Sequence, residues 1–534
     1  MSLISLQFAI FVLLAVVIYY LCPKKYRWVV LLAASYAYYL IICNKYIIYM
    51  LVTTVSTYLG ALAIEAGYEK QSATVKAHKK EWSREERKAY KQKMTGRCRW
   101  MMIAVLLLNF GILGFLKYSG FAAEVASAIA NAFGAHIQFP KLGFLLPLGI
   151  SFYTFQTMGY IIDVYQERVP AQKNLAKFAL FVSFFPQIIQ GPIAMYDDLA
   201  HQLYEPHDFR FRNLKSGAAL ILWGVFKKMV IADRAVAVIN LVTADSQAFS
   251  GTFVLFAALL YALQLYADFS GGIDIVRGIG EIFGIRMAEN FRRPYFSKSL
   301  TEYWHRWHIT LGNWVRTYVF YPLSISKKFL NMGKWMQKHC GKHLAKVVPT
   351  SLASLITFMI IGIWHGANGK YVAFGLWNGV VIMLLEICKP FNEKVGDALH
   401  VNRDGKLYQV AAMVWTFILV LVGYYFDIAK NFKDAMSMMW RSVTDFHISD
   451  VSNLACLKPA GLDKYDYLMI LLGAVVIFII SVIQERSQKN IRDMLWMKKQ
   501  KVQWAVFLIG LVVVLIFGYY GPHMTPADFV YMQF

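Results

Sequence analysis

The stretch Leu352-Ala-Ser-Leu-Ile-Thr-Phe-Met-Ile-Ile-Gly-Ile-Trp-His-Gly-Ala-Asn368 runs from almost unbroken apolar sequence into a histidine, a glycine and an asparagine. As part of an apolar segment over 350–365 it predicts a helix at membrane depth, since about 20 residues rising about 1.5 Å each cross the hydrocarbon core. Polar groups are costly there and usually mark function. Burial keeps an imidazole neutral, and a neutral imidazole can take a proton from a hydroxyl. Gly366 lets the backbone turn or approach a ligand closely. Two readings of His365 stand side by side: a general base, or a histidine that only bonds a neighbouring helix.

Outward from this stretch the pattern repeats. The chain has 534 residues, 58% of them hydrophobic and 16% charged, where soluble domains carry about 25% charged residues. Further apolar segments fall at 4–22, 28–43, 46–64, 101–116, 142–162, 174–193, 214–232, 252–267, 371–388, 409–426, 466–484 and 503–520. The expected fold is all-α: one polytopic membrane domain over 1–534. Pro147, Gly149 and Gly159 in one segment, and Pro186, Gly191 and Pro192 in another, predict broken or re-entrant helices where protein or water satisfies the freed backbone. Together these give roughly 10–12 membrane segments. The stretches 118–140 and 430–465 are expected to be sizeable extracytoplasmic pieces.

The net charge of +23 sits mostly in short stretches between apolar spans. That pattern fits cytoplasmic loops beside anionic lipid and argues against nucleic acid as a partner. The basic segment Glu69–Arg99, within a cytoplasmic loop placed at 65–100, puts the N-terminus outside and Lys24–Arg27 inside. It reads as a solvated amphipathic helix or as a headgroup contact. Arg486–Lys501 also reads as cytoplasmic. Residues 4–22 read as a first transmembrane helix, because Pro23-Lys24-Lys25 follows them where a cleavage site would stand. The six cysteines are scattered without a C-x-x-C pair, so neither a disulfide framework nor a zinc site is expected. His339 and His343 lie four apart in a basic loop without an acidic partner, which is no metal site, and no G-x-S-x-G elbow appears.

Two more polar clusters carry candidates. In Tyr303-Trp-His-Arg-Trp-His-Ile-Thr-Leu-Gly-Asn-Trp314, helical spacing would put Trp304, Trp307, His308 and Leu311 on one face, with His305 and Arg306 elsewhere. Arg306 and Arg316 are placed to hold a phosphate or carboxylate, or to snorkel to headgroups. In Tyr266-Ala-Asp-Phe-Ser-Gly-Gly-Ile-Asp274, continuing to Glu289-Asn-Phe-Arg-Arg-Pro-Tyr295, Asp268, Ser270 and Asn290 are candidates in a polar re-entrant loop with Asp–Arg pairs or in an ordinary cytoplasmic loop. The glycines there do not fit a dinucleotide fingerprint.

An ordered set of stretches resembles the bacterial membrane-bound O-acyltransferase family, and within it the alginate O-acetyltransferase type: Pro147-Leu-Gly-Ile-Ser-Phe-Tyr-Thr-Phe-Gln156, Phe184-Phe-Pro-Gln-Ile-Ile-Gln-Gly-Pro-Ile193, Tyr266-Ala-Asp-Phe-Ser-Gly271, Glu289-Asn-Phe-Arg-Arg-Pro-Tyr295, Trp304-His-Arg-Trp-His308, Ile363-Trp-His-Gly366 and the terminal Phe529-Val-Tyr-Met-Gln-Phe534. The resemblance implies a ring of membrane helices around a thinned centre with a tunnel. It implies His365 as catalytic histidine and His308 as the second. Trp364, Arg306, Trp307, Asp268, Ser270 and Asn290 are the supporting set. It also implies a cytoplasmic acyl thioester donor, acetyl-CoA, with no resident cofactor or metal. The acceptor would be an exported polysaccharide or cell-wall polymer, served by a secreted or periplasmic acetyltransferase partner at a bacterial inner membrane. A sister branch that moves D-alanine from a carrier protein toward teichoic acid shares the motifs and stays open. A transporter or polymer-export channel also fits broken helices and intramembrane Asp and His. It is disfavoured because no two related halves are visible. A scaffold with a dead site is disfavoured because both histidines are present.

Overall fold

The computed structural model describes residues 2–135, 137–140, 146–366, 368–452, 454–520 and 529. The terminal stretch after Phe529, and Ala367 within the histidine motif, lie outside the described residues. Among the described residues the chain is helical, without a strand longer than one isolated bridge, Phe291 with Trp307. Among the described residues, eight helical stretches are long and apolar enough to cross a membrane, and two shorter apolar ones join them at Leu6–Leu21 and Leu175–Gln190. The chain groups into two compact units, Met1–Gly217 with Ile279–Ala288, and Ala218–Gly278 with Glu289–Phe534.

The first unit holds α1 (Leu6–Leu21), α2 (Arg27–Cys43), α3 (Ile47–Ala77), α4 (Arg84–Ala132), α5 (Ile150–Tyr165), α6 (Leu175–Ser183), α7 (Phe185–Gln190) and α8 (Tyr196–Tyr204). α9 (Phe211–Val225) leads out of it. The basic segment is mostly helical. Helix α3 carries it to Ala77, and α4 restarts at Arg84 with a capping box between Ser83 and Glu86. The same α4 continues through much of the piece expected at 118–140. Its apolar residues and long helix-forming run leave no break signal there. At Gly149 the chain turns with φ +69, and a Cβ would strike the Ile188 carbonyl, so only glycine serves as the entry to α5. Helix α5 is buried along almost its whole length. Arg27 is also buried, its guanidinium donating to the carbonyls of Tyr20, Cys22 and His207 and lying over the Tyr19 and Tyr20 rings.

In the second unit a π-helical turn (Phe226–Ala232) joins α9 to α10 (Asp233–Ala244), and α11 follows (Gly251–Ile282). The polar stretch 266–274 is thus no loop but part of α11, while residues 289–293 lie beyond the end of that helix; Asp274 pairs with Arg277 one turn on, at 3.3 Å. Gly224 and Gly271 let α9 and α11 meet backbone to backbone, since a Cβ on Gly271 would stand 2.8 Å from the Gly224 carbonyl. Then come α12 (Leu300–Arg306), α13 (Ile309–Val315), α14 (Tyr321–Ser324), α15 (Lys327–His339), α16 (Lys342–His365), α17 (Gly369–Ala398), α18 (Lys406–Ile428), α19 (Phe432–Thr444), α20 (Lys464–Ser487), α21 (Ile491–Trp496) and α22 (Gln500–Phe517). The piece expected at 430–465 is α19 followed by short helical turns.

Candidate active site

His365 is the last residue of α16. The hairpin that positions it is drawn tight by glycine: a Cβ on Gly375 would lie 2.5 Å from the Phe358 carbonyl, one on Gly379 2.5 Å from Leu355, and one on Gly366 would enter the Tyr371 ring. The half-buried imidazole is boxed by Trp364, Tyr371 and Phe374, with ring centroids 5.1, 6.2 and 5.5 Å away. Trp304 ties α12 to this hairpin. Its indole donates to Asn378 at 3.0 Å and its ring meets Phe358 at 5.2 Å.

The helix expected to carry Trp304, Trp307, His308 and Leu311 on one face does not run through. α12 ends at Arg306, Trp307 is extended, and His308 has φ +45 and ψ +53 before α13 starts. The break is made by another part of the chain. Asn290–Arg292 pairs with it, the Arg292 amide donating to the Arg306 carbonyl at 2.9 Å and the Ile309 amide to the Asn290 carbonyl at 3.0 Å. Left-handed backbone costs a non-glycine residue about 1–3 kcal/mol and tends to gather at functional sites.

The Asn290 side chain fixes His308. The backbone amide of Thr310 can only donate, and it donates to Asn290 Oδ1 at 3.0 Å, so that atom is the carbonyl oxygen. His308 Nδ1 lies 3.3 Å from the same oxygen and must therefore carry the hydrogen. The lone pair is left on Nε2. His308 is 2% exposed and sits outside the spanning helices; burial, with His365 nearby adding to it, holds the imidazole down to about 3 and so neutral. Its ring meets Phe269 at 4.9 Å and Trp364 at 6.3 Å. Thus α11, the α12–α13 break and the end of α16 converge on the two histidines, and Trp307 closes the wall by packing on Phe291 at 5.0 Å.

The remaining candidates are placed otherwise. Arg306 is gripped by carboxylates, Glu485 at 3.0 and 3.1 Å and Glu302 at 2.6 Å, with Arg293 on the same Glu485 at 2.5 Å. It pins α12 to α20 with a two-pronged fork that a lysine cannot copy. Arg306→Lys is expected to fall well short of wild type in thermal stability and activity, and Glu485→Gln to resemble it; full stability in both, read by heating the protein in nanodiscs, would count against the clamp. Asp268 accepts from Lys228 at 2.6 Å, and Ser270 from Lys227 at 2.7 Å. Lys228 also meets Asp233 at 2.9 Å, and Lys227 meets Asp274 at 2.7 Å. Both lysines lie inside the apolar segment 214–232, and two adjacent cations in such a run are the signal that marks them in the sequence. The π-helical turn widens the backbone and carries both lysines inward, a local feature common at functional sites.

Two cavities flank the paired segments Asn290–Arg292 and Arg306–Ile309. One, of about 40 Å³, is walled by His365, Trp304, Trp307, Phe374, Tyr424 and Asp427 among others. The other, of about 670 Å³, takes in Ser270, Asn290 and an apolar wall that includes Phe226, Val476 and Val506. Lys227, Arg277, Arg292, Arg293, Lys489 and Arg492 line it against two carboxylates, Asp274 and Glu289.

Residues 166–426 match the model of the membrane-bound O-acyltransferase family, MBOAT. The chain is 31% identical to the probable alginate O-acetylase AlgI of Azotobacter vinelandii, covering 88% of this chain and 83% of that protein. It is 28% identical to the peptidoglycan O-acetyltransferase of Helicobacter pylori over 64% of each chain, and 28% identical to the teichoic acid D-alanyltransferase of Bacillus subtilis over 63% of this chain and 85% of that one. With its apolar spanning helices and its two histidines at one wall, this chain is a multi-pass membrane O-acyltransferase and belongs to the membrane-bound O-acyltransferase family.

Proposed function

We propose that the chain moves an acetyl group from a cytoplasmic thioester, acetyl-CoA, to a hydroxyl of an exported polysaccharide or cell-wall polymer, with His365 as general base. The observation that carries the reading is the pair of unlike cavities, one lined by Trp307 and His365 and the other by Asn290 and Phe291. The larger is of a size usual for cofactor-sized ligands, and its excess of Lys and Arg suits phosphates. It lies at the Gln484–Gln488 end of α20, next to the basic stretch Arg486–Lys501 that the positive-inside rule assigns to the cytoplasm. The smaller cavity holds room for about three or four waters by the usual measure of about 10–15 Å³ each. That is enough for a two-carbon acyl group or the hydroxyl edge of an acceptor.

In the reaction, His365 takes the acceptor hydroxyl proton as the oxygen bonds to the thioester carbon. The carbon–sulfur bond then breaks, and the leaving thiolate recovers the proton from the imidazolium. The Trp364 indole is the donor that steadies the developing oxyanion, since the one ring hydrogen of His308 is held by Asn290. Acyl resting on His365 or on a serine before handover is the covalent variant of the same route. The relatives named for alginate and peptidoglycan support a polymer acceptor. A bacterial inner-membrane site with a secreted or periplasmic acetyltransferase as partner belongs to the same reading.

The test offers purified protein in lipid nanodiscs radiolabelled acetyl-CoA, octanoyl-CoA and a D-alanyl carrier protein. Acetyl-CoA should turn over at least about 100-fold faster than octanoyl-CoA, since each misfit methylene in a closed pocket costs about 10-fold or more. Turnover from the loaded carrier alone would replace this reading with D-alanyl transfer, and equal turnover of octanoyl-CoA would remove acetyl as the preferred acyl group.

A further inference from the structure

Asp427 lines the small cavity with His365. It is the penultimate residue of α18, the end at which the helix dipole disfavours an anion. Its Oδ1 is shut from solvent and has no hydrogen-bond partner among the described residues. The obvious cation nearby is committed elsewhere: the Lys370 ammonium donates to the backbone carbonyls of Asp427 at 2.8 Å and Ala429 at 2.7 Å. Four other polar side chains of the cavity, those of Tyr303, Tyr424, Trp304 and Asn378, are bonded within the protein. Tyr295 donates to the Ala262 carbonyl at 2.6 Å, so the hydroxyl chain runs Tyr303 to Tyr424 at 2.7 Å and Tyr424 to Tyr295 at 3.0 Å, each donating once. Trp304 and Asn378 bond each other at 3.0 Å. A carboxylate at the wrong end of a helix, with an unfilled acceptor on a residue that lines a cavity, is poor structure and good recognition.

We propose that Asp427 receives a hydroxyl of the incoming acceptor and so positions the nucleophilic oxygen at His365, making it an acceptor-binding residue of this enzyme. The inference rests on the acyl-transfer reading above. A hydroxyl suits the site better than an ammonium, because Lys370 already holds a positive charge against the same turn. The cavity admits a hydroxyl-bearing edge and leaves the rest of a sugar ring outside.

The experiment measures acetyl transfer from acetyl-CoA to glycerol and to a short alginate oligosaccharide, in nanodiscs, for wild type, Asp427→Asn and Asp427→Glu. Asparagine keeps the shape and loses the charged acceptor. The acceptor KM should rise about 10- to 100-fold, the range for losing a hydrogen bond to a charged group, with the KM for acetyl-CoA shifting less than twofold. Glutamate should recover part of the loss. Thermal unfolding read on the same samples shows whether each variant is folded, and the ratio of the two KM values does not depend on how much of it is. An acceptor KM unchanged in Asp427→Asn, or acceptor and donor KM rising together, would overturn the inference. So would a wild type that consumes acetyl-CoA without passing acetyl to either hydroxyl compound. Wild type with no thioester turnover removes the acyl-transfer reading itself, and the inference with it.

Discussion

Replacing His365 with alanine is expected to lower acetyl transfer by about 10²- to 10⁴-fold, the usual share of a positioned general base, while leaving the protein folded. The imidazole is half-buried at the last position of α16, where no helix hydrogen bond depends on its side chain. The wall around it is aromatic and keeps its own packing, with Trp304 held by Phe358, Phe374 and Asn378. The loss should therefore appear in kcat, with the KM for acetyl-CoA little changed, because the donor cavity is lined by other residues. His308→Asn is the informative companion. Asparagine tolerates the left-handed backbone that His308 adopts, so the break between α12 and α13 survives while the Nε2 lone pair is lost. If both histidines serve one step, the double variant should be scarcely worse than the worse single one. Turnover within about tenfold of wild type in folded His365→Ala protein would take away its role as base, for which general-base estimates leave no room.

How much of this was open to a reader of the sequence depended on whether the cause was local. His365 was legible because an apolar run long enough to span ends on it, and both the run and the glycine after it are local facts. The spanning helices followed for the same reason. The break at Trp307 and His308 was hidden because the spacing of Trp304, Trp307, His308 and Leu311 fits one helix face. What overrides it is pairing with Asn290–Arg292, a tertiary contact that periodicity does not encode. Asp268 and Ser270 were visible as polar residues, yet their partners Lys228 and Lys227 were diluted within the apolar segment 214–232. Asp427 falls just past the apolar segment 409–426, where nothing local marks it, and only the cavity gives it a role. Arg306 drew attention as an anion holder; its anions turn out to be Glu302 and Glu485.

Those lysines set the second large effect. Lys228, Asp233 and Asp268 are each 1% exposed or less, with the ammonium 2.6 Å from Asp268 and 2.9 Å from Asp233. Removing the cation leaves two carboxylates buried against each other, and breaking a buried pair costs about 3–5 kcal/mol. Lys228→Ala is therefore expected to unfold at a much lower temperature and to yield little protein. Lys228→Met alone should do no better, because it restores volume without charge. Lys228→Met combined with Asp233→Asn and Asp268→Asn removes every charge together, and buried ion pairs replaced as a set are often neutral in stability. The triple variant should regain most of the lost unfolding temperature, measured by heating in nanodiscs and following monodisperse protein. Full stability in Lys228→Ala would mean that water or another group reaches the carboxylates. A triple variant as unstable as the single one would mean that the lysine acts through its packing in the π-helical turn instead. Activity separates structure from chemistry in the recovered protein. If the triple variant is stable and still transfers acetyl, Asp268 is a brace between α11 and the π-helical turn. If it is stable and inactive, the charges act on the reaction that Asn290 and His308 border.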